Sequence, residues 1–295
     1  MGDSWLVGIA PIGWTNDDMP ELGGEIPFEQ CIDEMALAGY AGCEVGGKFP
    51  RDIPTLTDAL ADRVLRICNA WFSSYLVDGP AEETYTRFRT HCEFLAAMGA
   101  RIVGISEQSR SIQGAELPIL GAKPVFTDAE WDRLAAGISG LAGIAREHGI
   151  TLTFHHHMGT GVQTREETRR LLEATSPEDL SLLYDTGHFA FAGEDHLECL
   201  REFVPRVRHV HLKDIRAHVL EEVRAGGTSF LDAVRAGVFT VPGDGSLDYT
   251  GVFDLLREAN YEGWLVVEAE QDPARANPLD YARRGRGYIR RVGGV

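Results

Sequence analysis

The chain has 295 residues, 44% of them hydrophobic, and a formal net charge of −17 at pH 7. That length suits a single domain over residues 1–295, because α/β barrels commonly run to ~250 residues as one unit. The charge repels polyanions and so argues against a nucleic-acid partner, while no run of ~18 apolar residues is present to span a membrane.

Residues 5–10 read as a first strand, and residues 27–38 have helical spacing, with Phe28, Cys31, Ile32, Met35 and Ala36 on one stripe. Residues 42–45 form a second strand, 56–65 a helix, 66–72 a third strand, 82–98 a helix and 101–105 a fourth strand. A long helix over 127–148 opens with the capping box Thr127-Asp128-Ala129-Glu130. Residues 150–155 are a fifth strand, and a second capping box, Thr164-Arg165-Glu166-Glu167, starts the next helix. A sixth strand at 180–184, a helix at 196–203, a seventh strand at 207–212, a helix at 249–259 and an eighth strand at 264–268 follow. Asn277-Pro278 caps a final helix with proline at its first position.

Eight strands, each followed by a helix or a long loop, predict an α/β fold of the closed (β/α)8 TIM-barrel type. The doubly wound alternative usually shows a phosphate loop after its first strand, and no GxGxxG or Walker pattern is present. The loops over 106–126 and 215–247 are long enough to act as lids, the second with a short helix at 229–236. The opening Met1-Gly2-Asp3-Ser4 lacks the pattern of a secretory signal. Cys31, Cys43, Cys68, Cys92 and Cys199 are odd in number and form no CxxC pair, which predicts reduced thiols and a cytoplasmic protein. The arginines from Arg283 to Arg291 read as the solvated face of the last helix.

Chemistry-bearing residues collect at the strand ends, where active sites of this fold sit. Strand five ends in Phe154-His155-His156-His157, strand six in Tyr184-Asp185-Thr186-Gly187-His188. Strand seven runs His209-Val210-His211-Leu212-Lys213-Asp214, and strand eight ends in Val267-Glu268-Ala269-Glu270. Side chains alternate faces, so His155 pairs with His157, His211 with His209 and Lys213, and Glu268 with Glu270. With His155, Asp185, His211 and Glu268 turned inward, four ligands converge, a set that suits Mn²⁺, Co²⁺ or Zn²⁺. The bland alternatives are that Asp185 caps the following helix and that each histidine merely covers the core. His156 points away and packs between barrel and helices, and His209 lies deeper as a donor to the site.

The opening Gly8-Ile9-Ala10-Pro11-Ile12-Gly13-Trp14-Thr15-Asn16-Asp17-Asp18 resembles that of the inosose dehydratases of bacterial inositol catabolism. So do the string from His155 to Thr164, Tyr184-Asp185-Thr186-Gly187-His188, and Glu268-Ala269-Glu270-Gln271-Asp272-Pro273. The resemblance covers essentially the whole chain and implies a xylose-isomerase-like TIM barrel. The metal set usual in that superfamily is Glu, Asp, His, Glu at strands five to eight. Asp185, His211 and Glu268 match its last three members, and His155 stands where the first glutamate is usual, with Glu270 the alternative to Glu268. The resemblance further implies 2-keto-myo-inositol as substrate, a trihydroxycyclohexane-dione as product, and manganese or cobalt as cofactor. Glutathione is associated with family enzymes, and no residue pattern here marks a site for it. The expected partner is a small cyclic polyol ketone, and a homo-oligomer stays open.

Dehydration next to a ketone needs a polarised carbonyl, a base for the α proton and an acid for the leaving hydroxyl. His188, Lys213 and Glu270 are the candidates for acid and base, with Lys213 alternatively an ion-pair partner and His188 alternatively a metal ligand. Glu44, Lys48, Trp14, Asn16, Trp71 and His157 are the substrate-binding candidates, and the aromatics among them read equally as packing. A ketose epimerase on the same metal is the rival reading, weakened by His155 in place of a carboxylate. An apurinic endonuclease would need further histidines on strands two and three, which end here in Glu44 and Trp71. A non-catalytic sugar sensor would not need Asp185, His211 and Glu268 together.

Overall fold

In a computed structural model that describes residues 5–295, the strands are β1 (Trp5–Ile9), β2 (Gly42–Glu44), β3 (Arg66–Asn69), β4 (Trp71–Ser74), β5 (Ile102–Glu107), β6 (Thr151–His155), β7 (Ser181–Asp185), β8 (Val207–Leu212), β9 (Asp214–Ile215), β10 (Phe239–Thr240) and β11 (Gly263–Val267). Met1-Gly2-Asp3-Ser4, where no secretory pattern was read, lies outside the described residues. Nine strands pair in the order β3-β2-β1-β11-β8-β7-β6-β5-β4, all in parallel. β3 and β4 are separated only by Ala70, so the two ends of this sheet are consecutive in the chain and the barrel closes through them. The expected third strand is therefore one stave broken in the middle, and the expected eight staves are present.

The break has a visible compensation. β3 pairs with β2, and β4 pairs with β5. At the junction, the Asn69 side chain accepts a hydrogen bond from the backbone N–H of Gly104 at 2.7 Å. The amide thus supplies an acceptor where the ladder is interrupted, as a buried N–H requires. A Cβ on Gly104 would stand 2.8 Å from Leu183 Cδ1 and 3.1 Å from Asn69 Nδ2, which is why this position is bare.

The helices pack outside the staves with their apolar stripes inward. Phe28, Cys31, Ile32 and Met35 are the buried residues of Phe28–Leu37, as their spacing predicts. Leu134, Gly137, Ile138 and Leu141 do the same for Asp128–Glu147. Both expected capping boxes form, Thr127 with Glu130 and Thr164 with Glu167. Two helices were not read from the sequence: Thr186–Ala192, directly after β7, and Ala217–Gly226 in the long segment after β8. That segment also pairs β9 with β10 antiparallel and carries the helix Phe230–Ala236 near its expected place. Among the described residues, no helix is long and apolar enough to cross a membrane.

Neighbouring helices are pinned by partly exposed ion pairs. Glu202 takes Arg165 Nε at 2.5 Å and also pairs with Arg169, joining Arg165–Glu173 to His196–Phe203. Hydrogen bonding from Arg169 and Arg165 holds the Glu202 carboxyl below its usual range. Its stabilisation is therefore present above the unfolded-state pKa and is lost as pH falls through the lower folded value. Glu202→Gln is expected to cost no more than about 1 kcal/mol at pH 7, and the difference from the parent should shrink as pH falls below the usual carboxylate range. Urea titrations of both proteins at neutral pH and through the acid range check this.

Candidate active site

At the carboxyl ends of the staves lies a cavity of about 410 Å³ with polar and aromatic walls. β6 delivers His155 and β7 delivers Asp185 as their last residues; β8 delivers His211, and Glu268 directly follows β11. One ligand atom from each of His155, Asp185, His211 and Glu268 lies within 4.8 Å of the other three. The four residues expected from strand alternation are therefore brought together. His155 and Asp185 are about fully buried.

Asp185 does two jobs with its two oxygens. Oδ1 accepts from the His188 N–H at 2.8 Å and caps the helix Thr186–Ala192. Oδ2 faces His155 Nε2 at 3.4 Å and His211 Nδ1 at 3.5 Å. The capping reading and the ligand reading of Asp185 are thus both compatible with the geometry.

The donor set fits a divalent cation. His211 Nδ1, Glu268 Oε2 and His155 Nδ1 are buried and have no hydrogen-bond partner. His211 Nδ1 lies 2.7 Å from Glu268 Oε2, an approach whose angles do not make a hydrogen bond. Orphaned buried acceptors are costly, and two carboxylates with two imidazoles are the donors that borderline divalent ions take. Burial drives His155 toward its neutral, ligating form against the pull of Asp185. Burial also opposes the charge on Asp185 and Glu268, but Lys213 and the His155 and His211 rings hold the first well below the usual carboxylate range, and Lys213 and His211 hold the second below it. His211 is raised well above its ordinary value, burial being outweighed by Glu44 and Glu268.

Of the other expected residues, Glu44, Trp71, His157 and Glu270 line the cavity. Trp71 is 37% exposed and its ring lies edge-on, 5.5 Å from both His155 and His157. His157 Nδ1–H donates to the Met158 carbonyl at 2.9 Å, and burial followed by the nearby His155 pushes its pKa down to about 3. Glu270 is held by Asn16 Nδ2 at 3.2 Å, and burial lifts its carboxyl to about 7. Asn16 is not itself a wall; its Oδ1 takes the Asp18 and Met19 N–H groups.

Lys213 and His188 do not line the cavity. Lys213 is the first residue past β8 and stands beside the expected carboxylates, on the far side of the cavity wall. Its ammonium is fully buried, 3.4 Å from Glu268, 3.7 Å from Glu270 and 4.5 Å from the centre of the Phe239 ring. Burial disfavours that charge, but Glu268, Asp185 and Glu270 push its pKa up to about 12, so Lys213 is a cation. Its nitrogen also lies 3.2 Å from His188 Nε2, and burial with His157 and Lys213 nearby keeps His188 neutral. Gly187 leaves room for this lysine, since a Cβ there would stand 2.6 Å from Lys213 Cγ.

Trp14 and Lys48, expected in the substrate wall, are elsewhere. Trp14 is 1% exposed in the core, with Nε1 donating to Glu34 at 2.7 Å. Lys48 Nζ donates to the carbonyls of Gly23, Gly24 and Ile26 at 3.0, 2.8 and 2.7 Å, clamping the loop that carries Asp17 and Asp18. Asp17, Asp18, Ser73, Gln108 and Gln113 also line the cavity, without a sequence signal that marks them. Gln108 Nε2 is buried there without a partner. His156 and His209 match expectation. The first stacks on Phe189 at 3.6 Å, and the second reaches Glu44 from deep in the barrel.

A parallel barrel with four ligand atoms gathered at its carboxyl mouth defines a class, and the comparisons agree with it: residues 32–292 match the xylose isomerase-like TIM barrel family. A solved structure of the IOLI protein with a binding zinc atom superposes with a TM-score of 0.72 at 13% identity, over 98% of each chain. An inosose dehydratase of Geobacillus thermodenitrificans is 59% identical over 98% of this chain and 97% of its own length. One from Glaesserella parasuis is 54% identical over 98% of both. Within the xylose isomerase-like barrels, the chain belongs to the inosose dehydratases, which are hydro-lyases.

The clamp formed by Lys48 gives a direct check on its role. Lys48→Met is expected to lower stability by about 1–2 kcal/mol, the scale of a few partly exposed charged hydrogen bonds. Amide exchange should speed up between residues 16 and 26. A melting temperature equal to the parent's with a raised KM would instead make Lys48 a substrate contact.

Proposed function

We propose that this chain removes water from 2-keto-myo-inositol to give a trihydroxycyclohexane-1,2-dione. The observation that carries the reading is the convergence of His155, Asp185, His211 and Glu268 beside a small polar cavity in a chain 59% identical to an inosose dehydratase. The cavity volume falls in the range of roughly 300–1,000 Å³ usual for small-molecule sites.

These four residues would hold a divalent metal, Mn²⁺ or Co²⁺ in this proposal, and the zinc in the related solved barrel supports a divalent ion. Bound there, the ion supplies Lewis acidity to the substrate carbonyl and so acidifies the neighbouring C–H. Glu270 is the acid–base group we assign. It lines the cavity, and Asn16 fixes its carboxyl. Its carboxylate takes the proton α to the ketone and returns it to the β hydroxyl, which leaves as water, so one group balances the proton. Lys213 works behind it as a fixed cation between Glu268 and Glu270, and His188 backs Lys213. Trp71 and His157 form a flat, largely uncharged side to the ring, and Gln108 offers its unpartnered amide to a hydroxyl. Five buried, unpaired cysteines fit a reducing compartment, which supports the cytoplasm.

Two measurements test this. Chelator-treated protein should lose turnover of 2-keto-myo-inositol, followed by the ultraviolet absorbance of the dione, and regain it with Mn²⁺ or Co²⁺; Asp185→Ala should bind no metal. Undiminished turnover without metal removes the Lewis-acid reading. Glu270→Gln should retain metal and lose roughly 10²-fold or more in kcat. A fall of less than about threefold would move the proton transfer to another group.

A further inference from the structure

One carboxylate oxygen in the cavity wall gathers donors from two other staves. Glu44 Oε1 accepts from Asn69 Nδ2 at 2.8 Å, from His211 Nε2 at 2.9 Å and from His209 Nε2 at 3.1 Å. Asn69 in turn takes the Gly104 N–H at the broken stave. Glu44 is about nine-tenths buried, and its donors come from β3 and β8. A carboxylate is an acceptor only, so both imidazoles must present Nε2–H to it. For His211 this leaves Nδ1 as the nitrogen that can carry a lone pair. Nδ1 is the atom facing Asp185 and Glu268.

We propose that Glu44, seated by Asn69 and His209, is a positioning residue that sets the tautomer and ring angle of His211 and thereby the metal affinity of the site. This rests on the metal reading above. It replaces the expectation that Glu44 binds substrate. Buried carboxylates that orient a ligating histidine typically matter by about 10–100-fold in metal affinity. The role does not depend on net charge at His211, because Nε2–H donates in the neutral and the charged ring alike.

A second reading of the same residues is separable. Glu44, Cys68 and His209 also approach within 4.8 Å of one another, as a buried metal site of their own would require. Against it, Glu44 Oε1 is already filled by three donors, and burial with Glu44 nearby keeps the Cys68 thiol strongly protonated.

The test is a Co²⁺ titration of the full chain, read by calorimetry and by the visible spectrum, on the parent, Glu44→Ala, Glu44→Gln and Asn69→Ala. One Co²⁺ per chain is expected. Kd should weaken about 10–100-fold in Glu44→Ala and less in Glu44→Gln, whose amide oxygen can still accept. Asn69→Ala should fall between Glu44→Ala and the parent. If Glu44→Ala does not fold, Glu44→Gln decides: its Kd should rise at least threefold while the metal-free melting temperature stays near the parent's. An unchanged Kd in the glutamate variants with a raised KM overturns the inference and restores a substrate role. Two Co²⁺ per parent chain, with one lost in Cys68→Ser, also overturns it, since Glu44 would then be a ligand. A parent that binds no Co²⁺ overturns the metal reading and this inference with it.

Discussion

Three donors on one buried oxygen are the constraint around which this barrel is organised. Removing a carboxylate from water costs several kcal/mol after relaxation, and only well-aimed donors offset it. Glu44 meets that cost with donors from two other staves, and the amide of Asn69 passes the connection to a fourth at Gly104. The stave that carries Asn69 is the one that breaks at Ala70, where the ladder alone does not hold the barrel shut. Closure and site geometry therefore share one network. A change that loosens the third stave moves Asn69, then Glu44, then the imidazole of His211.

The second organising fact is a charge balance that leans negative. Glu44, Asp185, Glu268 and Glu270 lie within reach of one another's partners, and against these four stand only Lys213 and the raised imidazole of His211. Burial pushes His155, His157, His188 and His209 toward neutrality, so these imidazoles contribute lone pairs rather than charge. A site with an excess of buried carboxylates and neutral imidazoles is short of positive charge at its centre. A divalent ion supplies what Lys213 cannot, because the lysine is a single charge held to one side by Phe239 and His188. The same arithmetic explains why Lys213 stays protonated although no part of it reaches water.

How far the sequence speaks depends on whether a residue sits in regular structure. Alternation along strands is a strict rule, and it picks out His155, Asp185, His211 and Glu268 because each lies in a strand or immediately after one. The apolar stripes and capping boxes announce the outer helices just as directly. Lys213, one residue past β8 as Glu268 is past β11, does reach Glu268 and Glu270 as alternation predicts, but its ammonium stays behind the cavity wall. The rule fails where the backbone leaves its ladder. Trp14 follows a short 3-10 turn at Pro11–Gly13, which turns its indole into the core. The break at Ala70 is marked only by Asn69-Ala70, two residue types uncommon in strands, inside a run from Arg66 to Phe72 that otherwise reads as one strand. Gln108, Asp17 and Asp18 lie on loops, where no periodicity fixes a direction and only the closed barrel brings them to one cavity. Glu107 shows the same limit: β5 runs two residues past its expected end, and the Glu107 carboxylate takes Ser74 and the Leu76 N–H to shape the loop after β4.

The placement of these residues separates two kinds of work that a sequence motif cannot distinguish. Glu270, His157, Trp71 and Gln108 face the cavity, where a substrate can meet them. Asn16, Lys48, Lys213 and His188 touch the residues or loops that face it. All eight would be equally constrained if the reaction is to run, so any recurring pattern would report them together. Geometry divides them, because a group that acts through another can be replaced wherever the held group keeps its place. Burial does not follow the same line. Lys213 and His188 are fully buried and pair with each other, while Lys48 holds its loop from the exposed surface. Glu270 and His157 are buried at the cavity itself, where Gln108 keeps an amide nitrogen with no protein partner.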